Sequence, residues 1–354
     1  MWQEHLRFGN TLPRRDRKYI GCLCLAGGAI CAVVGLWSSV EWICGCGLLP
    51  VIAYWINDQC WKIPFFPYDR ILSAHSVDGL KWTREPGIRL DVGGLFDSVQ
   101  VYSPVVAKMN SQWRMYYRAG SNNSSIASAV SDDGVNWSED AGGHLSYGED
   151  KYRIEPSCIL AVYGGWHLYH SVYEKDKWAI WRARSADGLV LIPEGECRGL
   201  GGGNVKDGFV LRDGEQSRIY FRRWDEADMA LFTAVSADGL DWHGLSRCSG
   251  YGVAGFATVA FPRFVRSADK TWRMYFSESR VESCIGTRVA SAISTDGVRW
   301  QREEGIRLTP GGRYDPHGAF CPDVIAGQGN WRMYYGGFWE KHWLLPWTLY
   351  KYRG

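Results

Sequence analysis

The chain has 354 residues, and its 40 basic and 38 acidic side chains leave a formal net charge of only +2. This near balance excludes the strongly basic surface that nucleic-acid binding requires, and the length favours one large domain with an appendage. Aromatic residues make up 14% of the chain, including 19 Trp and 19 Tyr. In a repeat protein, rings in this number are typical of packing between the repeated units.

The first 57 residues predict a membrane anchor. Residues 1–18 are polar and end in a basic cluster, residues 19–37 carry no charge, and residues 42–57 form a second uncharged stretch. About 20 apolar residues span a hydrocarbon core, so the first stretch qualifies. The second is short, but it is flanked by rings of the kind that lie at a membrane interface. We therefore predict a transmembrane hairpin of helices 19–37 and 42–57, with these interfacial rings: Trp37, Trp42, Tyr54, Trp55 and Trp61.

The basic cluster before residue 19 places the N-terminus in the cytoplasm. If both helices span, the rest of the chain is cytoplasmic as well, which we favour; if only the first spans, the rest is periplasmic or extracellular. A cleaved signal peptide fits less well, because the apolar region is long and has no small-residue cleavage site. Residues 58–69 include the run Lys-Ile-Pro-Phe-Phe-Pro-Tyr and are predicted to form a stiff aromatic linker.

A repeated phrase organises the remainder of the chain. Ser-x-Asp-Gly-x-x-Trp begins at Ser76, Ser131, Ser236 and Ser294, and a further copy at Ser185 lacks the Trp. Asp-Gly between apolar residues is a strong hairpin signal, because Gly supplies the positive φ that a two-residue turn needs. A period of about 50 residues, with several strands in each unit, indicates a propeller.

A second phrase, Trp-Arg-Met-Tyr-Tyr in its fullest form, lies between copies of the first and follows a short apolar run that contains Pro or Gly. One unit therefore consists of an inner, a second and a third strand, an Asp-Gly turn and an outer strand. Five units predict an all-β fold, a five-bladed β-propeller with four-stranded blades, over residues 70–354. The N-terminal strand should complete the last blade. Residues 70–76 and 347–350 both resemble third strands, so six candidates exist for five places.

Inner strands of a propeller converge on a central axis, so the residues at their starts should face one cavity. Aligning the five inner strands on their Pro or Gly places these residues in one column: Ser103, Glu155, Asp207, Phe261 and Cys321. Seven residues before the Pro, the first and last blades carry Asp97 and Asp315. His170, Arg118 and Arg222 follow second strands and are predicted to line the same cavity.

The Ser-x-Asp-Gly-x-x-Trp turns, Phe-Asp before a Ser-Pro strand and Trp-Arg-Met-Tyr-Tyr together resemble the furanosidase-type glycoside hydrolases, the arabinanase, xylosidase, invertase and levansucrase superfamily. The resemblance covers residues 70–354. It implies a catalytic set of three carboxylates, with Glu155 as the acid, Asp97 as the base or nucleophile and Asp207 as the group that tunes or orients. Glycoside hydrolysis needs one protonated and one ionised carboxyl across the sugar ring. An Asp before an inner strand is also often a turn or cap residue, so a structural role stays open.

Two functions remain open from the sequence. We favour a non-catalytic, glycosidase-like propeller that is a structural subunit of a larger membrane complex, with integral-membrane subunits and the lipid bilayer as partners. A photosynthetic reaction-centre and antenna complex is one such host, because the Met-Trp start is similar to antenna polypeptides. The alternative is a membrane-tethered glycoside hydrolase that acts on furanosides or related glycans. The first function predicts a channel plugged by side chains such as Phe261 and acids paired with arginines, whereas the second predicts an open, acid-lined pocket. No cofactor and no metal site are predicted.

Overall fold

The computed structural model describes residues 67–93, 100–119, 125–148, 153–224, 229–252, 258–266, 271–280, 285–327 and 329–340. Within these residues the chain forms strands and no helix, and the strands make five antiparallel sheets of four strands each. The predicted all-β, five-bladed propeller with four-stranded blades is therefore confirmed. In this part of the chain no helix is long and apolar enough to cross a membrane. The predicted segments 1–18 and 19–57, with their interfacial rings, lie outside the described residues.

The strands follow chain order, except that the first two complete the last blade. Blade 5 takes its third and outer strands from the N-terminal side, as β1 (Pro67–Ser76) and β2 (Thr83–Arg84). Blades 1 and 2 comprise β3 (Tyr102–Met109), β4 (Gln112–Ala119), β5 (Ser125–Ser131), β6 (Ser138–Ser146), β7 (Arg153–Val162), β8 (Gly165–Glu174), β9 (Lys177–Ser185) and β10 (Ile192–Glu196). Blades 3 and 4 comprise β11 (Asn204–Asp213), β12 (Gln216–Trp224), β13 (Met229–Ser236), β14 (His243–Arg247), β15 (Thr258–Arg266), β16 (Trp272–Ser279), β17 (Arg288–Ser294) and β18 (Gln301–Arg302). The inner and second strands of blade 5 are β19 (Gly318–Ile325) and β20 (Trp331–Glu340).

The ring is closed by the N-terminal strand. β1 pairs with β20 along its whole length, from Pro67 opposite Glu340 to Ser76 opposite Trp331, and β2 pairs with β1 at the outer edge. The segment 70–76 therefore takes the third-strand place, and the competing segment 347–350 lies outside the described residues. Because β1 begins at Pro67, the last three residues assigned to the linker belong to the propeller.

The repeated turns are held by their own side chains. The Gly79 N–H donates to the Ser76 hydroxyl at 2.9 Å, and Asp78 Oδ1 accepts from the backbone N–H groups of Leu80 and Lys81 at 2.8 and 2.9 Å. Gly79 has a φ of 71°, which an L side chain rarely adopts. The same hydrogen bonds recur in the other four copies. Turn geometry therefore accounts for the repeated Ser, Asp and Gly.

Adjacent blades are joined by a tyrosine on the second strand that reaches the turn of the next blade. The Tyr275 hydroxyl donates to the Gly79 carbonyl at 2.7 Å. Three equivalent bonds join Tyr334 to Gly134 at 2.7 Å, Tyr169 to Gly239 at 3.1 Å and Tyr116 to Gly188 at 2.5 Å. In blade 3, Tyr220 stands against Gly297, but its hydroxyl has no hydrogen-bond partner among the described residues.

The Trp of the repeat packs edge-on against the same tyrosine. The rings of Trp82 and Tyr275 lie 5.9 Å apart at 87°. The other three tryptophans make the same contact, as Trp137 on Tyr334, Trp242 on Tyr169 and Trp300 on Tyr220. Where the repeat lacks its Trp, Leu191 occupies the corresponding position and is buried in the same cluster as Tyr116. Aromatic rings thus fill the space between blades, as their number predicted.

Tyr275→Phe should lower the free energy of unfolding by about 1–2 kcal/mol, because the buried Gly79 carbonyl loses its donor. Tyr220→Phe is the matched control, since it removes a hydroxyl at the equivalent place without removing a hydrogen bond, and it should change stability by less than about 0.5 kcal/mol. Urea unfolding followed by tryptophan fluorescence measures both. Equal losses in the two variants would show that the hydrogen bond between blades does not stabilise the ring.

Candidate functional site

Four inner strands contain a non-glycine residue in the left-handed backbone region. The φ angles are 53° at Ser103, 61° at Asp207, 53° at Phe261 and 49° at Cys321. At each of these points the pairing with the second strand shifts register, which is the mark of a β-bulge. Left-handed residues other than glycine cost roughly 1–2 kcal/mol each, and they cluster at functional sites.

The second blade departs from this pattern. Glu155 and Pro156 stay paired with the second strand, and the register shift falls after them, between Pro156 and Cys158. Glu155 therefore reaches the axis from a regular strand. The residues of the predicted column meet there nonetheless, because Ser103 contacts both Glu155 and Cys321, from the blades on either side of it.

Glu155 is the centre of these contacts. Its carboxylate accepts from the Ser103 hydroxyl and forms ion pairs with Arg118 Nη1 at 3.0 Å and Lys206 Nζ at 2.7 Å. Only 1% of Glu155 is exposed. Burial by itself would raise the pKa of Glu155, but Lys206 and Arg118 outweigh it and hold the pKa below its ordinary value. Glu155 is therefore ionised at neutral pH.

Asp207 lies beside Glu155 and shares Lys206 with it. Asp207 Oδ2 lies 3.1 Å from Arg222 Nε and accepts from the Phe261 N–H at 3.3 Å. Lys206 Nζ lies 3.9 Å from Asp207 Oδ1 and 4.4 Å from the centroid of the Trp178 ring. Lys206 thus links the two carboxylates, and no sequence signal pointed to it beyond its place next to Asp207.

We call the following residues the axial cluster: Ser103, Arg118, Glu155, Lys206, Asp207 and Arg222. Each is no more than 4% exposed, and they come from three consecutive blades. Sequence reasoning named all of them except Lys206. The five residues predicted from spacing are therefore brought together by the fold.

A further buried carboxyl, Asp69, lies next to the axial cluster and was missed. Its backbone carbonyl accepts from the Val101 N–H at 3.3 Å, at the point where the chain enters the first inner strand. Burial raises the pKa of Asp69 to about 8, and the Arg118 guanidinium opposes this rise only in part. Asp69 stands on β1, so its position depends on that strand joining the last blade, which spacing alone does not reveal.

Two other predicted site residues, Asp315 and His170, make their side-chain contacts outside the axial cluster. Asp315 is buried against Arg84, with Nε–Oδ2 at 3.0 Å and Nη2–Oδ2 at 2.8 Å, and it accepts from the Tyr335 hydroxyl at 3.1 Å. These partners are all in blade 5, so Asp315 stabilises that blade and does not join the axial cluster. His170 Nε2 lies 2.8 Å from the Tyr147 hydroxyl.

Two predictions remain to be compared with the structure: the role of Asp97 and the absence of a metal site. Asp97 lies outside the described residues, so its role stays a prediction. No group of three or more His, Cys, Asp or Glu side chains in the described part of the chain could hold a metal ion.

His170 should make the protein less stable in mild acid. Burial lowers its pKa from the ordinary 6.5 to about 4, so the unfolded chain binds a proton in this interval that the folded chain does not. Stability contributed by the neutral ring is therefore present above pH 6.5 and lost as the pH falls towards 4, at roughly 1.4 kcal/mol per pH unit. Urea unfolding between pH 7 and 4.5 should show a shallower slope for His170→Gln than for the wild type. Identical slopes would contradict the assignment.

The chain is similar to known proteins in its fold. No protein-family model and no curated protein matches the sequence. A solved N-acetylgalactosamine deacetylase from F. plautii, in complex with blood group B trisaccharide, is similar with a TM-score of 0.56 and 13% identity, over 76% of this chain and 96% of that chain. β-1,2-Mannobiose phosphorylase from Listeria innocua, in complex with β-1,2-mannobiose, matches with a TM-score of 0.56 and 14% identity, over 76% and 96% of the two chains.

An endo-arabinase from Bacteroides thetaiotaomicron matches with a TM-score of 0.53 and 15% identity, over 72% of this chain and 99% of that chain. At these identities the similarity extends to the fold alone. The chain is a five-bladed β-propeller whose fold resembles that of solved furanosidase-type enzymes such as this arabinase.

Proposed function

We propose that the propeller binds a glycoside at the axial cluster and cleaves its glycosidic bond. The observation that carries this proposal is Glu155, an ionised carboxylate buried where the inner strands converge and held by Arg118 and Lys206. The left-handed residues beside it support the proposal, because strained backbone is concentrated at functional sites. The fold is also shared with enzymes named for the carbohydrates on which they act. These observations favour the glycoside hydrolase over the structural subunit.

The environment of Glu155 reverses the roles that the resemblance implied. A carboxyl whose pKa is held low is a base or a nucleophile and not the proton donor. We therefore propose that Glu155 acts as the base or nucleophile at the sugar carbon and that Asp97 acts as the proton donor to the leaving-group oxygen. In this scheme Asp97 supplies the proton as the glycosidic C–O bond breaks, and Glu155 activates the attacking water or attacks the carbon itself. Asp207, held by Arg222, keeps Lys206 next to Glu155.

Glu155→Gln should lower kcat on a cleaved glycoside by at least about a hundredfold, because an amide can neither accept a proton nor attack. A panel of nitrophenyl furanosides and arabino-oligosaccharides provides the substrates. The matched control is Glu278→Gln, since Glu278 is equally buried but pairs with Arg288 and Arg302 in blade 4. The control should lose stability and keep its kcat. Full activity in Glu155→Gln would remove the carboxylate from the reaction.

Substrates with poor and good leaving groups test the role of Asp97. Asp97→Asn should lower kcat on oligosaccharides by about a hundredfold or more and leave cleavage of dinitrophenyl glycosides nearly unchanged, because a good leaving group needs no proton. Glu155→Gln should slow both substrate classes. If Asp97→Asn slows both classes equally, Asp97 is not the proton donor.

A non-catalytic role is the second candidate, and a specific observation favours it. Each carboxylate of the axial cluster is neutralised: Glu155 by Arg118 and Lys206, and Asp207 by Arg222. Phe261, next to Asp207, is also nearly buried. This pairing is what the structural-subunit reading predicts. A pull-down of the full chain from its native membrane tests this candidate. Stoichiometric integral-membrane partners, together with no cleavage anywhere in the panel, would establish it.

A further inference from the structure

Arg118 uses only two of its five N–H donors among the described residues. The side chain is 1% exposed, and its Nη1 donates to Glu155 Oε2 at 3.0 Å and to the Tyr102 hydroxyl. Its Nε and Nη2 are buried and have no hydrogen-bond partner among the described residues. These two nitrogens form the edge of a guanidinium that receives a carboxylate or a phosphate through two parallel hydrogen bonds.

Asp69 is close to Arg118 in the fold, because its backbone carbonyl accepts from Val101, the residue before Tyr102, and Tyr102 pairs with Arg118 across the sheet. Its side chain is also incompletely satisfied. Its Oδ1 is buried without a hydrogen-bond partner in the described part of the chain. The Arg118 guanidinium is close enough to lower the pKa of Asp69, yet no ion pair joins the two side chains in the described residues. Arg70, the neighbouring cation on β1, lies 3.3 Å from Asp91 instead. Because burial raises its pKa to about 8, Asp69 is protonated at neutral pH and offers an O–H donor.

The charges of the axial cluster also favour an anionic ligand. The axial cluster contains three cations, Arg118, Lys206 and Arg222, and two carboxylates, Glu155 and Asp207, all nearly buried. Since Asp69 is neutral, one positive charge is left over among these described residues. A buried charge without a counter-ion is unfavourable, so this site is suited to a bound anion.

We propose that the Nε–Nη2 edge of Arg118 and the carboxyl of Asp69 form a subsite for an oxyanion, and that the ligand is a glycan carrying a carboxylate, as uronic acid residues do. The proposed subsite has three donors available to the ligand: two N–H groups of Arg118 and the O–H of Asp69. A neutral hydroxyl accepts fewer of these bonds and leaves the extra charge unbalanced. The proposal rests on the proposed function for its place in a glycoside-binding site, and it adds the class of sugar.

Calorimetric titration of the full chain tests the subsite without turnover. At pH 6.5, galacturonate should bind at least about tenfold tighter than galactose, which has a hydroxymethyl group in place of the carboxylate. Inorganic phosphate is the third probe. If phosphate binds and galacturonate gains nothing over galactose, the oxyanion subsite stands, but its ligand is free phosphate and the glycan assignment is overturned. If neither anion binds more tightly than galactose, the subsite itself is overturned.

The pH dependence and two variants connect binding to these side chains. Galacturonate affinity should be constant from pH 6 to about 7.5 and fall about tenfold per pH unit above 8, because ionised Asp69 repels the anion. Asp69→Asn keeps a donor that does not titrate. This variant should therefore bind galacturonate with an affinity that does not decrease above pH 8. Arg118→Lys should weaken binding at least about tenfold, since a lysine cannot present two parallel donors.

Unchanged galacturonate binding in Arg118→Lys, or the same alkaline fall in Asp69→Asn, would overturn the proposal, and circular dichroism confirms that each variant folds. If Arg118→Lys does not fold, Asp69→Asn alone decides the outcome. The result is separable from the proposed function. Binding of galacturonate without cleavage of any glycoside defeats only the hydrolase, and cleavage without a preference for galacturonate defeats only the subsite.

Discussion

A left-handed residue within a strand interrupts the hydrogen-bond ladder, and this propeller places one at the same point in four of its five inner strands. The interruption comes directly before the Pro or Gly, where the register with the second strand shifts. Ser103 and Asp207 lie at two of these interruptions. Ser103 contacts Glu155 from the next blade, and Asp207 lies beside Lys206, which is paired with Glu155. The local distortion thus accompanies Ser103 and Asp207. Glu155 reaches the axis from a strand that keeps its register at that residue.

The ring supplies the second condition for the site. Contacts such as Ser103 with Glu155 and Glu155 with Lys206 cross from one blade to the next, so they exist only if the blades keep their spacing. The hydrogen bonds from tyrosine to the turn of the next blade, together with the tryptophan packed edge-on against the same ring, fix that spacing at the periphery. Closure by β1 has a direct consequence for chemistry, because it brings Asp69 next to Arg118.

Charge compensation sets what the axial cluster can do. Two carboxylates face three cations, so Glu155 stays ionised and the surplus lies on the positive side. This balance argues against Glu155 as a proton donor and in favour of an anionic ligand. The pairing of the acids with arginines is the outcome that the structural-subunit function predicts, and it is also compatible with the hydrolase. The same ion pairs that would stabilise an inert core also prepare a carboxylate for reaction at neutral pH.

The sequence by itself determined the five blades, the four strands in each and the completion of the last blade by an N-terminal strand, but it left segments 70–76 and 347–350 as rival third strands. Turn chemistry and strand periodicity are local, and Asp-Gly, Pro and the Trp-Arg-Met-Tyr-Tyr run report them directly. It also named Glu155, Asp207, Arg118 and Arg222, because repeat alignment finds equivalent positions. Tertiary structure decided the rest: which cation neutralises which acid, that Asp315 pairs with an outer strand, and that Asp69 is a protonated neighbour of the cluster. Those outcomes depend on distances between blades and on burial, and the spacing of a repeat determines neither of them.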